Sequence, residues 1–502
     1  MSYEELEIRM AMYDVLVVGA GAAGVSAALA AARNGARTIL VERSGFVGGI
    51  SATLPWLGFH DQRYRQVVKG YATEFVERLQ AVGGAGPITY DPKCGSLASI
   101  HPHYWKIVAI GLLRDAGVSV LLHTLVVDTL RSTDRIEGVV VEHKSGRQEI
   151  RARVVIDCSG DGDVAARGGV AWEKGRTGDG LVQAPTLVFR LAGVDDRAFK
   201  AACQTPAFNY REWLHPYPEL WAKMAGKLDT VDTFVLGGFA GLIEAARTAG
   251  DVTFPQTRIV GVKVSTPSSP GELSVVMTRI LGLDPTDVQS MSEAYGRVYA
   301  QIPEIVAFFR KYVPGCANAY LNEIAPMLGV RESRRIMGDY VLPADDLLAG
   351  ARHEDDVAMG GYHIDIHRPS GTWVESRNVL AYGIPLRCLI AREVEGLMMA
   401  GKCLSATHEA VASTRVIPIC MAQGQAAGTT AAFAALARTS DVRDIPFGQV
   451  QARLAQEGAE FGQSLTDADP DVLADWPLLP FDEGGTTGER DAASATAAAW
   501  VA

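Results

Sequence analysis

The feature that most constrains this chain is a six-residue turn, Gly19-Ala20-Gly21-Ala22-Ala23-Gly24, set between two segments of different periodicity. Residues 13–18 before it form a short β-branched run suited to a buried parallel strand. Residues 22–34 after it are Ala-rich and predict a helix, which Gly35 ends as a C-terminal cap. Residues 37–41 predict a second strand that runs into Glu42. Together they make one βαβ unit of about 30 residues. In such a turn the first glycine permits the tight bend, the second lets backbone approach a pyrophosphate, and the third lets helix and strand pack closely. The helix start then offers free N–H groups and a positive dipole end to phosphates. Glu42, about 20 residues further on, is placed to accept hydrogen bonds from ribose hydroxyls. An acid there also disfavours a 2′-phosphate, and hence NADP. The unit predicts a bound dinucleotide.

The rest of the composition narrows the class. The 502 residues carry 47 Lys and Arg against 58 Asp and Glu, a net charge of −11. That balance lacks the clustered cations a nucleic-acid surface needs. Apolar residues make up 48%, enough to offset chain entropy, so wholesale disorder is excluded. No apolar stretch approaches the roughly 20 residues of a membrane span. The seven cysteines are scattered, with no C-x-x-C pair, which suggests neither zinc nor a disulfide framework and points to a reducing, cytoplasmic compartment. Residues 1–12 are acidic without an apolar core, unlike a secretory signal. The expected partner is a small-molecule substrate, with no nucleic acid and no membrane; a homo-oligomer is left open.

Three features choose FAD over NAD. The loop 42–53 continues past the ribose acid into paired glycines, Gly48-Gly49, followed by Ile50 and Ser51. A second close backbone approach is what a flavin lying further along would need. A strand over 149–156 leads into Ser159-Gly160-Asp161-Gly162-Asp163, another glycine turn with acids. Residues 397–428 then return to a strand, a turn at Gly401 and a helix beginning at Pro418, a residue suited to a helix start. That helix would aim its N-terminus at a group that becomes negative on reduction. The expected cofactor-binding residues are Gly19, Gly21, Ala22, Ala23, Gly24, Glu42, Arg43, Gly48, Gly49, Ile50, Ser51, Val126, Ser159, Gly160, Asp161, Gly401, Ser405, Arg415, Gln423 and Gly424. Val126 stands on a meander of strands over residues 126–156.

The whole pattern resembles the FAD-dependent oxidoreductase family related to the fumarate reductase and succinate dehydrogenase flavoproteins. The resemblance rests on residues 13–31, 42–53, 155–165, 331–340 (RESRRIMGDY), 362–369 (YHIDIHRP), 382–389 (YGIPLRCL) and 397–428. It implies an α/β fold: a discontinuous Rossmann-like FAD-binding domain with an inserted α+β substrate domain. The expected division is 1–166 and 386–440 for the FAD domain, 167–385 for the insert, and 441–502 for a C-terminal extension whose end is mobile. The resemblance implies no particular substrate, and the fumarate reductase glycine signature is absent.

Catalytic candidates are His408, Arg415, His363 and His367. Arg415 suits a substrate carboxylate or an anionic reduced flavin, and His408 a proton. His363, Asp365 and His367 alternate, so on a strand they share one face; a substrate pocket is preferred there to a metal site. Arg331, Arg334 and Arg335, beside Glu332 and Asp339, predict a salt-bridged structural network. Tyr382 and Arg387 are further pocket candidates. His60 stands too far from Gly49 for a covalent flavin link. Gly237-Gly238 sits in what reads as a helical pattern to residue 249, so it predicts helix packing, not a second nucleotide site. These residues predict hydride transfer between a small organic substrate and flavin. The alternatives are an oxygen-using flavin monooxygenase or oxidase and, from another class, a non-catalytic flavin sensor.

Overall fold

Strand β1 (Tyr13–Val18) buries its last four side chains, as an unbroken apolar run in a parallel sheet must. The computed structural model describes residues 12–54, 56–205, 214, 217–369 and 374–479. Residues 1–11 and 480–502 lie outside the described residues, and the latter are only part of the tail expected to be mobile or surface-hugging, which begins at residue 466. Gly21 leads into helix α1 (Ala22–Arg33), and β2 (Thr38–Val41) returns parallel to β1. Then come β3 (Ser119–Leu121), β4 (Leu125–Arg131), β5 (Ile136–His143) and β6 (Gly146–Asp157). They join one seven-stranded sheet in the order β3-β2-β1-β6-β5-β4.

β6 serves two sheets' worth of pairing. Its first half pairs antiparallel with β5, closing the expected meander. Its second half pairs parallel with β1, bringing Val18 level with Asp157. The next domain-sized stretch leaves this sheet. Phe189–Ala192, Phe234–Gly238, Ile259–Thr266, Ser269–Val275 and Tyr320–Ile324 form a separate antiparallel five-stranded sheet. The 25-residue helix Val288–Tyr312 shares its core. This is the expected α+β insert. Its separate core draws on residues 187–328, whereas residues 342–390 pack into the nucleotide-domain core. Gly237 and Gly238 lie on a strand, paired with Val260 and Ile259, not in a helix as expected. The helix starts only at Ala240, after Phe239 turns the chain with φ +63°.

The chain comes back through β7 (Ile364–His367) and β8 (Leu397–Met399), and β8 pairs parallel with β6 so that Met399 meets Asp157. Helices α2 (His408–Thr414) and α3 (Ile417–Leu436) follow. α3 is apolar on nearly every side and is buried almost throughout, as such a helix must be. It lies on α1 through small residues. A Cβ on Gly424 would stand 2.1 Å from the Ala23 carbonyl oxygen, and one on Gly428 would stand 2.1 Å from that of Ala27. Backbone therefore meets backbone, and the two helices hold each other against the sheet. The extension continues with the helix Phe447–Gln456, which buries Val450 and Leu454 in the same core. The short helix Pro470–Asp475 then reaches the insert, where Lys227 pairs with Asp475 at 3.0 Å.

Candidate functional site: a dinucleotide cradle and a buried polar cluster

The register places the ends of β1, β2, β6 and β8 at one edge of the sheet: Val18, Val41, Asp157 and Met399 share a level. The carboxyl edge of such a sheet is where α/β proteins bind ligands. Each strand there runs into one of the turns singled out in the sequence. Gly19 has φ +94°, and a Cβ on it would strike the Cys158 carbonyl at 2.4 Å. Gly24 is packed harder still: its Cβ would stand 1.8 Å from the Gly19 carbonyl. Gly21 differs from both. Nothing lies within 4 Å of where its side chain would be, so its missing Cβ opens a space and relieves no contact. The helix it starts has no side-chain cap and no acid in its first turn. Free N–H groups and an unopposed positive dipole end therefore face that space. This is the geometry a diphosphate fills.

Glu42 is buried and preorganised. Its carboxylate accepts from the Ala20 and Ser44 backbone N–H groups, both at 2.7 Å. Thr124, two residues before Val126, donates to the Glu42 carbonyl. The second glycine loop folds onto the first, with the Gly48 N–H bonded to the Ala20 carbonyl at 2.6 Å. Gly48 has φ +113°, and its would-be side chain points into the Trp105 ring. A Cβ on Gly49 would stand 3.2 Å from the Gly21 Cα, and the Ser51 hydroxyl is buried with no partner among the described residues. Ile50 faces Gly329 at the edge of the insert. The Ser159–Asp163 turn is organised by Asp157, whose carboxylate accepts from Ser159, Val164 and Ala165. Asp161 stands between Lys402, at 2.9 Å, and Arg43, at 3.9 Å. An open cradle, an orphaned buried hydroxyl and a seated ribose acid fit FAD.

The late residues divide by role. The Gln423 side chain accepts from the Gly401 N–H and donates to the Thr414 carbonyl, tying the β8 turn to α2. Ser405 accepts from the Gly338 N–H. Gly424 faces α1, which gives it a packing task.

The four catalytic candidates do not converge on one point. His408 Nδ1 sits 2.7 Å from the Glu332 carboxylate without hydrogen-bond geometry, and His363 is hydrogen-bonded to the Lys93 carbonyl at 3.0 Å. The three alternating residues, of which His363 precedes β7, therefore do not close on a common centre. Arg415 and His367 do meet, at Asp365. His367 Nε2 lies 3.2 Å from the Asp365 carboxylate. Arg415 donates to the Asp365 carbonyl at 3.0 Å and approaches its carboxylate at 3.5 Å. Gln183, from the segment that enters the insert, accepts from both Arg415 and the His367 backbone. Burial holds the His367 imidazole down to about 3, helped by Arg331, and burial holds His363 to about 4. Burial opposes ionisation of Asp365, but His367, His363 and Arg415 outweigh it and keep the carboxylate charged.

The Arg331–Arg335 knot separates. Arg334 pairs with Asp163, and Arg335 pairs with Glu332, which is the expected structural network. Asp339 goes to Arg443 instead. Arg331 leaves the network and donates to the Ala184 carbonyl at 2.6 Å and to the Thr186 hydroxyl at 2.8 Å, beside Arg415. Sequence spacing carries no signal for this, since all three arginines share one run. Tyr382 bonds Ser413 on α2, while Arg387 is taken up by Asp355 near the surface.

Sheet edge, cradle and polar cluster define an α/β enzyme built around a dinucleotide. The chain belongs to the FAD dependent oxidoreductase family, whose model matches residues 14–454, and FAD is its cofactor. Among curated proteins, a thiamine thiazole synthase of Aeropyrum pernix is 32% identical over 166 residues, covering 31% of this chain and 57% of that protein. A digeranylgeranylglycerophospholipid reductase of Picrophilus torridus is 30% identical over 162 residues, covering 30% and 39%. The chain thus spans less than two thirds of either relative. Among solved structures, a geranylgeranyl bacteriochlorophyll reductase-like protein of Thermoplasma acidophilum aligns with 14% identity and a TM-score of 0.43, covering 89% of this chain and 84% of that one. No helix among the described residues is long and apolar enough to cross a membrane.

Proposed function

We propose that this protein transfers a hydride between a carbon of a small organic substrate and FAD, dehydrogenating the substrate or, in reverse, reducing an alkene. The observation that supports this reading is the gathering of Arg415, Asp365 and His367 at the start of α3, the helix that lies directly on α1 of the cradle. FAD supplies the two-electron acceptor when bound. The chain supplies position and the proton. Because Asp365 stays ionised, the His367 tautomer with its proton on Nε2 is favoured, which leaves Nδ1 to exchange a proton with substrate. Arg415 is fixed through one nitrogen, and its buried Nε has no partner among the described residues, so it is a preset donor to an oxygen that gains charge. The insert admits the substrate. Seven buried, unbridged cysteines support placement in the cytoplasm.

The test is anaerobic. Purified yellow protein is mixed with saturated carbonyl compounds, and photoreduced protein with enoates. Bleaching by the first, or reoxidation by the second, is the expected result. Reduced protein that reoxidises only with oxygen, and places an oxygen atom in the product, would replace hydride transfer with oxygenation. Reduced protein that passes electrons to nothing would make it a sensor.

A further inference from the structure

Three buried or half-buried arginines are neutralised by carboxylates, and the half-buried Arg331 contrasts with them. Arg190 lies between Glu272 and Glu323. Arg335 has Glu332, and Arg334 has Asp163. Arg331 has no ion pair among the described residues. Its hydrogen bonds go to a carbonyl and a hydroxyl, both uncharged. It also sits in an unfavourable field: burial, the neighbouring Arg415 and Arg279 together bring its guanidinium down to about 9. An unpaired buried cation costs several kcal/mol of desolvation, a cost that a bound anion would offset.

The surroundings point the same way. The nearest carboxylate that Arg331 feels is Asp365, which is already shared between His367 and Arg415. With His367 neutral, Arg331, Arg415 and Asp365 sum to one positive charge, and Arg279 adds a further positive field. Two hydrogen-bonding atoms beside it are also spare. The Nε of Arg415 and the amide nitrogen of Gln183, a residue only 1% exposed, are buried without partners among the described residues. The Tyr362 phenol lies close enough to interact with both guanidiniums, and its ring stands 6.1 Å from that of Trp56. The surroundings of Arg331 are therefore cationic and aromatic.

We infer that Arg331 anchors a carboxylate of the substrate, with the Arg415 Nε and the Gln183 amide as further donors, so that the substrate class is a small organic acid. This rests on the hydride-transfer reading for the word substrate, and it goes further by assigning the class and the anchoring residue. Arg331 is fixed by Ala184 and Thr186, on the segment entering the insert, so the anchor belongs to the insert side of the site. A carboxylate bound there would offset the charge that keeps His367 from taking a proton, coupling anion binding to the proposed proton acceptor.

The experiment uses the FAD-loaded protein and reads binding through perturbation of the flavin absorption band. The probes are benzoate and malonate, with benzamide and malonamide as neutral isosteres. Saturable perturbation by at least one acid, and at least about tenfold weaker binding of its amide, is expected, the equivalent of about 1.4 kcal/mol. Arg331→Met should keep its FAD and its flavin spectrum and bind the acid at least about tenfold more weakly, since a charge-assisted bond is lost. Arg331→Lys should recover part of that loss. Amides that bind as well as acids, or an acid affinity unchanged in Arg331→Met, would overturn the inference, as would no saturable perturbation by either acid. Loss of FAD from Arg331→Met would assign Arg331 to the cofactor and overturn it too. A protein without FAD would instead sink the hydride-transfer reading, so the two failures are distinct.

Discussion

The cradle at residues 19–24 and the polar cluster around Asp365 are made of different material. The cradle is backbone: its working groups are N–H donors, and its side chains are absent so that main chain can approach main chain or ligand. The cluster is side chain: Gln183, Arg331, Asp365, His367 and Arg415 come from four separate segments, and their positions are fixed by one another. A backbone site fails by steric intrusion and leaves its chemistry unchanged. A side-chain site fails by loss of charge or of a proton carrier, with the fold left standing.

The sharpest way to break this contrast lies within the cradle. Gly24→Val puts a Cβ 1.8 Å from the Gly19 carbonyl, and we expect roughly 4 kcal/mol or more of destabilisation. Thermal melting of the FAD-free protein, or its failure to accumulate in soluble form, measures this. Gly21→Val occupies open space, so the FAD-free protein should melt within about 0.5 kcal/mol of the parent. Its FAD affinity should fall by more than about 100-fold, because the space is where the diphosphate lies. Equal destabilisation by the two substitutions would remove the distinction between packing glycine and ligand glycine.

In the cluster, His367→Gln should retain FAD and melt close to the parent. Its rate of anaerobic flavin reduction should drop on the order of 100-fold, the usual worth of a positioned proton carrier. An unchanged rate would move the proton elsewhere.

The smallest effect expected is on pH. Burial holds His363 and His60 near 4 in the folded protein, well below their ordinary value near 6.5. The unfolded chain therefore takes up protons between pH 6.5 and about 4 while the folded chain does not. Stability from these groups is complete above pH 6.5 and is lost as pH falls toward 4, by on the order of 1–3 kcal/mol each. His363→Gln should flatten the fall in denaturation midpoint across that window. A fall as steep as in the parent would contradict it.

The cradle was legible in the sequence because its signal is local. Strand, turn, helix and acid follow one another within a single βαβ unit, and each residue's task follows from its immediate neighbours. The family resemblance and the inserted α+β sheet were legible for a similar reason, since runs of pattern survive without knowledge of contacts. Gly237-Gly238 misled because a glycine pair before a helical pattern looks the same on a strand end as inside a helix; pairing with Ile259 and Val260 decided it. Gly424 lay within the family-like run, yet its task is set by Ala23, some 400 residues earlier in the chain.

What the sequence determined by itself was the class of ligand and the edge that holds it, because backbone chemistry depends on short-range order. What only the tertiary structure decided was which side chains share a buried space. Arg331, Arg334 and Arg335 are chemically identical and stand within five positions of one another, yet two are neutralised and one is not. That difference comes from carboxylates folded in from elsewhere. Charge pairing acts through space, and a linear order of residues does not contain the distances.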